Sequence, residues 1–296
     1  MLHLIPDMTR FPTIQPKTRQ RGYTFRFVTI GLILAVAESC AVSQQREVEM
    51  GASYATEIEK ELPLIHDPEI VNYLNVLGDS LARVVDDRSL DWHFNVVNSK
   101  DINAFAVPGG YIYINRGLIE RASTMAQVAG VLGHEIGHVT KRHSIKQMQK
   151  AEGANIGVTL GCALTNACSS QAAQRGINLA ASGVFAKFSR NDEAEADQEG
   201  VKTLVAAKID PHGMPEMFQL LLDERKARPD DVSLFFASHP IEESRIAATN
   251  DAIAKYPAAS LRGLAKDSPG FQAFKRRVAS LPAPPPAPKK IGRAHV

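Results

Sequence analysis

The stretch Ala129-Gly130-Val131-Leu132-Gly133-His134-Glu135-Ile136-Gly137-His138-Val139 decides the reading of this chain. It contains H-E-x-x-H, in which two imidazoles one helical turn apart share a face and can point at one metal ion. Glu135 lies about 100° further round, near such an ion but free to act as a base. The spacing predicts a helix starting near Thr124, where Thr124 and Gln127 have capping-box spacing. Val128, Leu132, Ile136 and Val139 form an apolar face, the histidines a second, and Gly130, Gly133 and Gly137 a third. Each glycine costs a helix about 1 kcal/mol relative to alanine, so three on one stripe predict close approach of another helix. A helix buried all round cannot leave two imidazoles and a carboxylate unpartnered, and a bound cation resolves the conflict.

Such an ion needs further ligands, and the next acidic cluster supplies candidates. In Phe188-Ser189-Arg190-Asn191-Asp192-Glu193-Ala194-Glu195-Ala196-Asp197-Gln198-Glu199-Gly200, Ser189 or Asn191 can cap a helix. Glu193, Asp197, Gly200, Val201 and Leu204 then share one face. Glu193 is placed to complete a metal's coordination, and Asp197 to accept the free ring N–H of a ligand histidine. The competing reading is a solvated acidic first turn favoured by the helix dipole, which suits Glu195 and Glu199 better than Glu193 and Asp197. Lys141 and Ser144 stand where the extended H-E-x-x-H-x-x-G-x-x-H form needs glycine and histidine, so a remote glutamate ligand is the better model. A purely structural zinc site would need a fourth permanent protein ligand and would leave Glu135 without work.

Upstream, Ser43 to about Asp87 is helical in pattern, with Val48, Ala52, Ile58, Leu62, Ile70, Tyr73, Leu74, Leu77, Leu81 and Val84 recurring at three and four. Trp92 to Val97 and Tyr111 to Asn115 read as strands, with Asp101 to Val107 and the turn Pro108-Gly109-Gly110 between them. An edge strand in this small sheet is a plain structural strand or a place for an extended peptide to pair. Residues 151–188, rich in Gly, Ala and Ser, read as closely packed helices and a lid near the site. Helices are expected from Ile241 to about Tyr256 and near Gly270 to Leu281. The proline-rich run beginning at Pro282 is expected to be extended and mobile.

The 296 residues are 44% hydrophobic and 22% charged with a net charge of +2, an ordinary globular composition without the basic footprint of a nucleic-acid binder. At the front, Arg19, Arg21 and Arg26 precede the apolar run Phe27 to Ala37, too short for a mature membrane span but fit for a signal-peptide core. Ala35-Val36-Ala37 offers an ordinary cleavage site and a soluble periplasmic product. Cys40 offers lipidation, and removing it leaves Cys162 and Cys168 as an even pair, bridged or as two buried thiols. The division expected is a leader over 1–40, a catalytic domain over 43–281 and a disordered tail over 282–296.

Together, G-H-E-I-G-H and F-S-R-N-D-E-A-E-A-D-Q-E-G, with Asn103-Ala104-Phe105-Ala106 and Ser238-His239-Pro240 plus Arg245, resemble the HtpX-like and CAAX-prenyl-protease-type zinc endopeptidases of peptidase family M48. The resemblance runs from about Val48 to Ala254. It implies an α+β, predominantly helical zincin of the glutamate-ligand (gluzincin) type, with a small sheet beside the metal helix. It makes His134, His138 and Glu193 ligands of one Zn2+ and Glu135 the catalytic base. Asn103 and Ala104 would meet the substrate backbone. His239 and Arg245 would sit at the site rim, the histidine near the metal or the reacting carbonyl; the plainer reading of His239 is a helix-start residue before Pro240. The resemblance further implies unfolded or misassembled envelope proteins as substrates, and the leader with Cys40 predicts periplasmic localisation with a lipid anchor in the outer membrane, or a soluble periplasmic protein. Larger relatives carry a C-terminal helical-repeat domain, which is not expected in the residues after Leu281. A rival reading is a chaperone-like assembly factor whose zinc site is kept closed by His239.

Overall fold

In the computed structural model, which describes residues 42–150 and 187–284, the stretch quoted above is a helix with every residue from Met125 to Val139 buried. The other elements are arranged around it. Helices α1 (Gln44–Glu61) and α2 (Pro68–Ala82) lead into strands β1 (His93–Val97), β2 (Ala104–Val107) and β3 (Tyr111–Asn115). Short α3 (Arg116–Arg121) precedes the metal helix α4 (Met125–Thr140). Then follow α5 (Arg190–Ala206), α6 (Gly213–Ala227), α7 (Ser233–Ser238), α8 (Glu243–Ala254), α9 (Ala258–Leu261) and α10 (Pro269–Ala279). The chain is therefore α+β and mainly helical, with one small sheet. The expected leader and Cys40, the Cys162–Cys168 pair, the expected lid and the tail beyond residue 284 lie outside the described residues. Among the described residues no helix is long and apolar enough to cross a membrane.

Helix starts follow side-chain chemistry. Ser43 Oγ accepts from the Arg46 N–H, and Asp67 Oδ1 accepts from Glu69 and Ile70 with Pro68 in the first turn of α2. Ser189 and Asp192 form a reciprocal capping box at α5. The box expected at Thr124 is not made. Thr124 does precede α4, but its hydroxyl is buried without a partner, and Gln127 instead accepts from the Ser123 N–H at 2.7 Å.

The sheet order is β1-β3-β2, with β1 parallel and β2 antiparallel to β3, so β2 is an edge strand. Alternation sends Phe94, Val96, Ala104, Ile112 and Ile114 into the main core, while Val97, Val107 and Tyr113 meet Tyr54 and Ile58 of α1 and Leu62 just beyond it on the other face. The turn into β3 uses Gly109 and Gly110 at φ 84° and 104°, a region that glycine enters without steric cost. Of the apolar residues assigned inward by periodicity in α1 and α2, Val48 is exposed, as is Val84 just beyond α2.

The glycine stripe does what its cost implied. A Cβ on Gly137 would lie 2.9 Å from the Ala196 carbonyl oxygen and one on Gly133 3.4 Å from the Gly200 Cα, so α5 packs backbone to backbone on α4. At Gly130 the neighbour is Met214 of α6. Glu199 departs from its expected solvated role: it is buried, with its carboxylate 2.9 Å from Lys141 and 2.8 Å from Lys202. Its inward position follows from the backbone contact of α4 and α5, which leaves little room for solvent between them.

Candidate metal centre

Because α4 and α5 approach this closely, residues one turn apart on each face the same space. His134, His138 and Glu193 converge there, and His239 joins them from the end of α7. All four are buried. His134 Nε2 is 3.0 Å from His138 Nε2 and 3.3 Å from His239 Nδ1. Glu193 Oε1 is 3.1 Å from His239 Nδ1 and 3.4 Å from His138 Nε2. Metal–ligand bonds of about 2.0–2.1 Å in a tetrahedron place donor atoms roughly 3.3 Å apart, so these spacings suit four donors around one ion.

The chemistry behind the donors fits a cation as well. Asp197 Oδ1 lies 2.9 Å from His134 Nδ1, and His143 Nδ1 lies 2.9 Å from His138 Nδ1. With ring protons directed to those partners, both Nε2 atoms present lone pairs to each other, which only a shared electrophile makes favourable. Around the cluster, Glu193 and Asp197 share the guanidinium of Arg245, and the buried Glu135 carboxylate has no hydrogen-bond partner. A divalent cation balances that buried negative charge.

Arg245 is not a rim residue. Its side chain is 13% exposed, it grips Asp197 through Nε at 2.9 Å and Nη2 at 2.7 Å, and it also donates to Glu193 Oε2 and the Pro240 carbonyl. The guanidinium lies over the Phe218 ring, 4.7 Å from its centroid. Burial works to raise the Asp197 carboxyl, but the hydrogen bond with His134 and the charge of Arg245 hold it below its ordinary range. Glu193 likewise stays ionised: burial opposes it, but hydrogen bonds with His138 and His239 prevail. Burial keeps His138 well below its ordinary pKa, hence neutral, the form a metal takes.

Glu135 is fully buried, and neither carboxylate oxygen has a hydrogen-bond partner. His239 Nε2 lies 3.7 Å from its Oε1. An ionised carboxylate in this state is expensive unless something it is built to receive occupies the space beside it. His239 is not the helix-start residue that Pro240 suggested; it closes the short helix α7, and α8 begins only at Glu243. It also provides the fourth donor that a structural zinc reading required, though such a site gives the unpaired Glu135 no task.

Ala104 opens β2 and is buried; Asn103 precedes it, its carbonyl accepting from the Asn115 N–H at 2.9 Å and its side-chain Oδ1 buried without a partner. Strand β2 packs against α4, but neither residue hydrogen-bonds the four converging side chains. His143, whose ring meets that of His138 edge-on beside Phe188, had no sequence assignment, because it lies five residues beyond His138 and past the end of the helix.

Comparison with known proteins agrees with this geometry. The model of peptidase family M48 matches residues 71–253. A beta-barrel assembly-enhancing protease of Yersinia pestis is 31% identical over 222 residues, 72% of this chain and 45% of the relative. Metalloprotease LoiP of Escherichia coli is 31% identical over 60% of this chain and 68% of its own length, and mitochondrial metalloendopeptidase OMA1 of Arabidopsis thaliana is 32% identical over 53% and 30%. The chain thus spans a little under half the length of the beta-barrel assembly-enhancing relatives it matches. With a family match covering most of the described residues and a buried His/Glu donor set suited to zinc, the chain belongs to peptidase family M48, a family of zinc metallopeptidases.

Proposed function

We propose that this protein is an exported zinc endopeptidase that cleaves misfolded or misassembled proteins of the bacterial cell envelope. The observation that carries the catalytic part is Glu135, a buried carboxylate without a partner, one residue from His134 and beside the four-donor cluster. His134, His138 and Glu193 hold the ion, which supplies a Lewis acid for the scissile carbonyl and acidifies water to near neutral pH. Glu135 takes a proton from the attacking water and returns it to the leaving nitrogen. Asp197 fixes the His134 tautomer, and Arg245 keeps Asp197 in place. Edge strand β2, with Asn103 and Ala104 at its start, receives an extended peptide by strand addition.

The envelope assignment rests on relatives named for beta-barrel assembly and on the signal-like front of the sequence, with Cys40 as the lipid attachment to the outer membrane; cleavage after Ala37 instead gives a soluble periplasmic enzyme. Nothing in the charge pattern favours nucleic acid.

One observation favours a second reading, a latent enzyme or chaperone-like assembly factor. His239 Nδ1 stands within 3.3 Å of His134 Nε2 and 3.1 Å of Glu193 Oε1, where it fills the coordination position that substrate chemistry needs open. Glu135→Gln separates the two. For the protease, cleavage of casein by the full chain falls about 100- to 10,000-fold while zinc content stays at one per chain. Restoration of envelope function by Glu135→Gln in cells favours the assembly factor. Proteomic comparison of envelopes carrying the two forms identifies the substrates.

A further inference from the structure

We propose that His143 is a positioning residue of the metal centre, fixing the tautomer and ring orientation of His138 through a neutral imidazole relay that ends on Glu195. The inference rests on the reading of His138 as a zinc ligand. His143 is fully buried. Its Nδ1 lies 2.9 Å from His138 Nδ1, and its Nε2 lies 3.2 Å from Glu195 Oε2. With both rings neutral and His138 Nε2 kept for the ion, one proton arrangement satisfies every contact: His138 Nδ1–H donates to His143 Nδ1, and His143 Nε2–H donates to Glu195. The ligand ring is thereby held at its far nitrogen, the place where metal-binding histidines usually meet a carboxylate or carbonyl.

The backbone is bent to make this contact. Helix α4 ends at Thr140, and a helical continuation would carry residue 143 away from His138, since five residues is nearly one and a half turns. Instead Arg142 adopts φ 57°, a left-handed turn that costs a non-glycine residue about 1–2 kcal/mol. Its side chain explains why the turn persists. Arg142 Nε donates to buried Glu47 at 2.7 Å, the same carboxylate that takes Arg88 Nη1 at 2.9 Å, and Arg88 Nη2 caps the Val139 carbonyl at 2.8 Å. Helix α1 thus pins the turn that returns His143 to the site. Phe188 packs flat on His138, with ring centroids 4.0 Å apart, and limits its rotation from the other side.

The test is zinc affinity of the full chain, measured by competition with a chromophoric chelator, for wild type, His143→Leu and His143→Asn. Leucine fills space without accepting a hydrogen bond, whereas the asparagine oxygen can stand where Nδ1 stood. The proposal expects His143→Leu to bind zinc about 10- to 100-fold more weakly and His143→Asn to recover to within a few-fold of wild type. Equal affinity in His143→Leu, or equal loss in both variants, overturns it. Should His143→Leu fail to fold, long-range 1H–15N correlation spectra of the zinc-loaded, histidine-labelled wild type decide. The proposal expects the His143 proton on Nε2 and the His138 proton on Nδ1; a His143 ring protonated at Nδ1 overturns it. Failure of the wild type itself to bind zinc overturns the metal-centre reading instead.

Discussion

His134 and His138 leave one helix a turn apart and point at one place, but the groups behind them differ in charge and exposure. Behind His134 stands Asp197, clamped by two nitrogens of Arg245 and only 8% exposed at the side chain. Behind His138 stands a neutral imidazole, His143, whose own partner Glu195 is 53% exposed and shared loosely with Lys146 at 3.9 Å. One arm is a buried ionic lock joining α4, α5 and α8; the other is a short relay running out to water. A zinc site needs both rings oriented, and this fold achieves that once with strong, costly charges and once with a bent backbone.

The largest difference should appear when the ionic lock is opened. Asp197→Ala leaves Arg245 with a buried charge and frees the His134 ring, which predicts a loss of about 3–5 kcal/mol in urea unfolding and a 10- to 100-fold weaker zinc affinity. Asp197→Asn paired with Arg245→Met should recover a large part of the lost stability but not the affinity, because the charge conflict is gone while the strong acceptor is not restored. Equal stability of the double variant and the Asp197→Ala single variant would break the picture of a coupled pair.

Acid should separate the two arms next. Burial holds His138 and His143 below the ordinary value of 6.5, so the unfolded chain binds protons there that the folded chain refuses. Stability of the metal-free protein therefore falls as pH drops below about 6.5. Asp197 is shifted in the same direction but in a more acidic window: its contribution is present above the ordinary value of 3.8 and is lost only as pH falls through the lowered folded value. Unfolding of the metal-free protein followed from pH 7.5 to 5 should show an acid limb that His143→Asn shallows and Asp197→Asn leaves in place. The smallest effect belongs to the end of the relay. Glu195→Gln should change stability by less than about 1 kcal/mol and zinc affinity by less than a few-fold, since an exposed carboxylate is largely screened. A loss as large as that of Asp197→Ala would make the two arms alike.

What the sequence disclosed follows the same division. His134, Glu135 and His138 were legible because helical spacing alone puts them together, and Glu193 with Asp197 because the same period recurs against apolar neighbours. The glycine stripe also announced its packing, since three weak helix formers on one face need a compensating contact. His239 and Arg245 came only through family resemblance: each lies over forty residues from Glu193, and no local pattern carries so far. Even then Arg245 was expected outside the site it supports from within. His143 escaped because period-based reading stops where the helix stops, and the left-handed Arg142 that turns the chain back is an arginine rather than the glycine usual at such a turn. Glu199 was misjudged because, besides Lys202 on its own helix, it pairs with Lys141 just past the end of α4, a partner visible only once the helices meet.

The central claim is that two helices and the end of a third share one divalent ion. Zinc K-edge X-ray absorption on the purified full chain tests it most directly. One zinc per chain, with nitrogen and oxygen scatterers at about 2.0–2.1 Å and the multiple-scattering pattern of imidazole rings, is the predicted result. Zinc well below one per chain, or a shell of sulfur at about 2.3 Å, would contradict it.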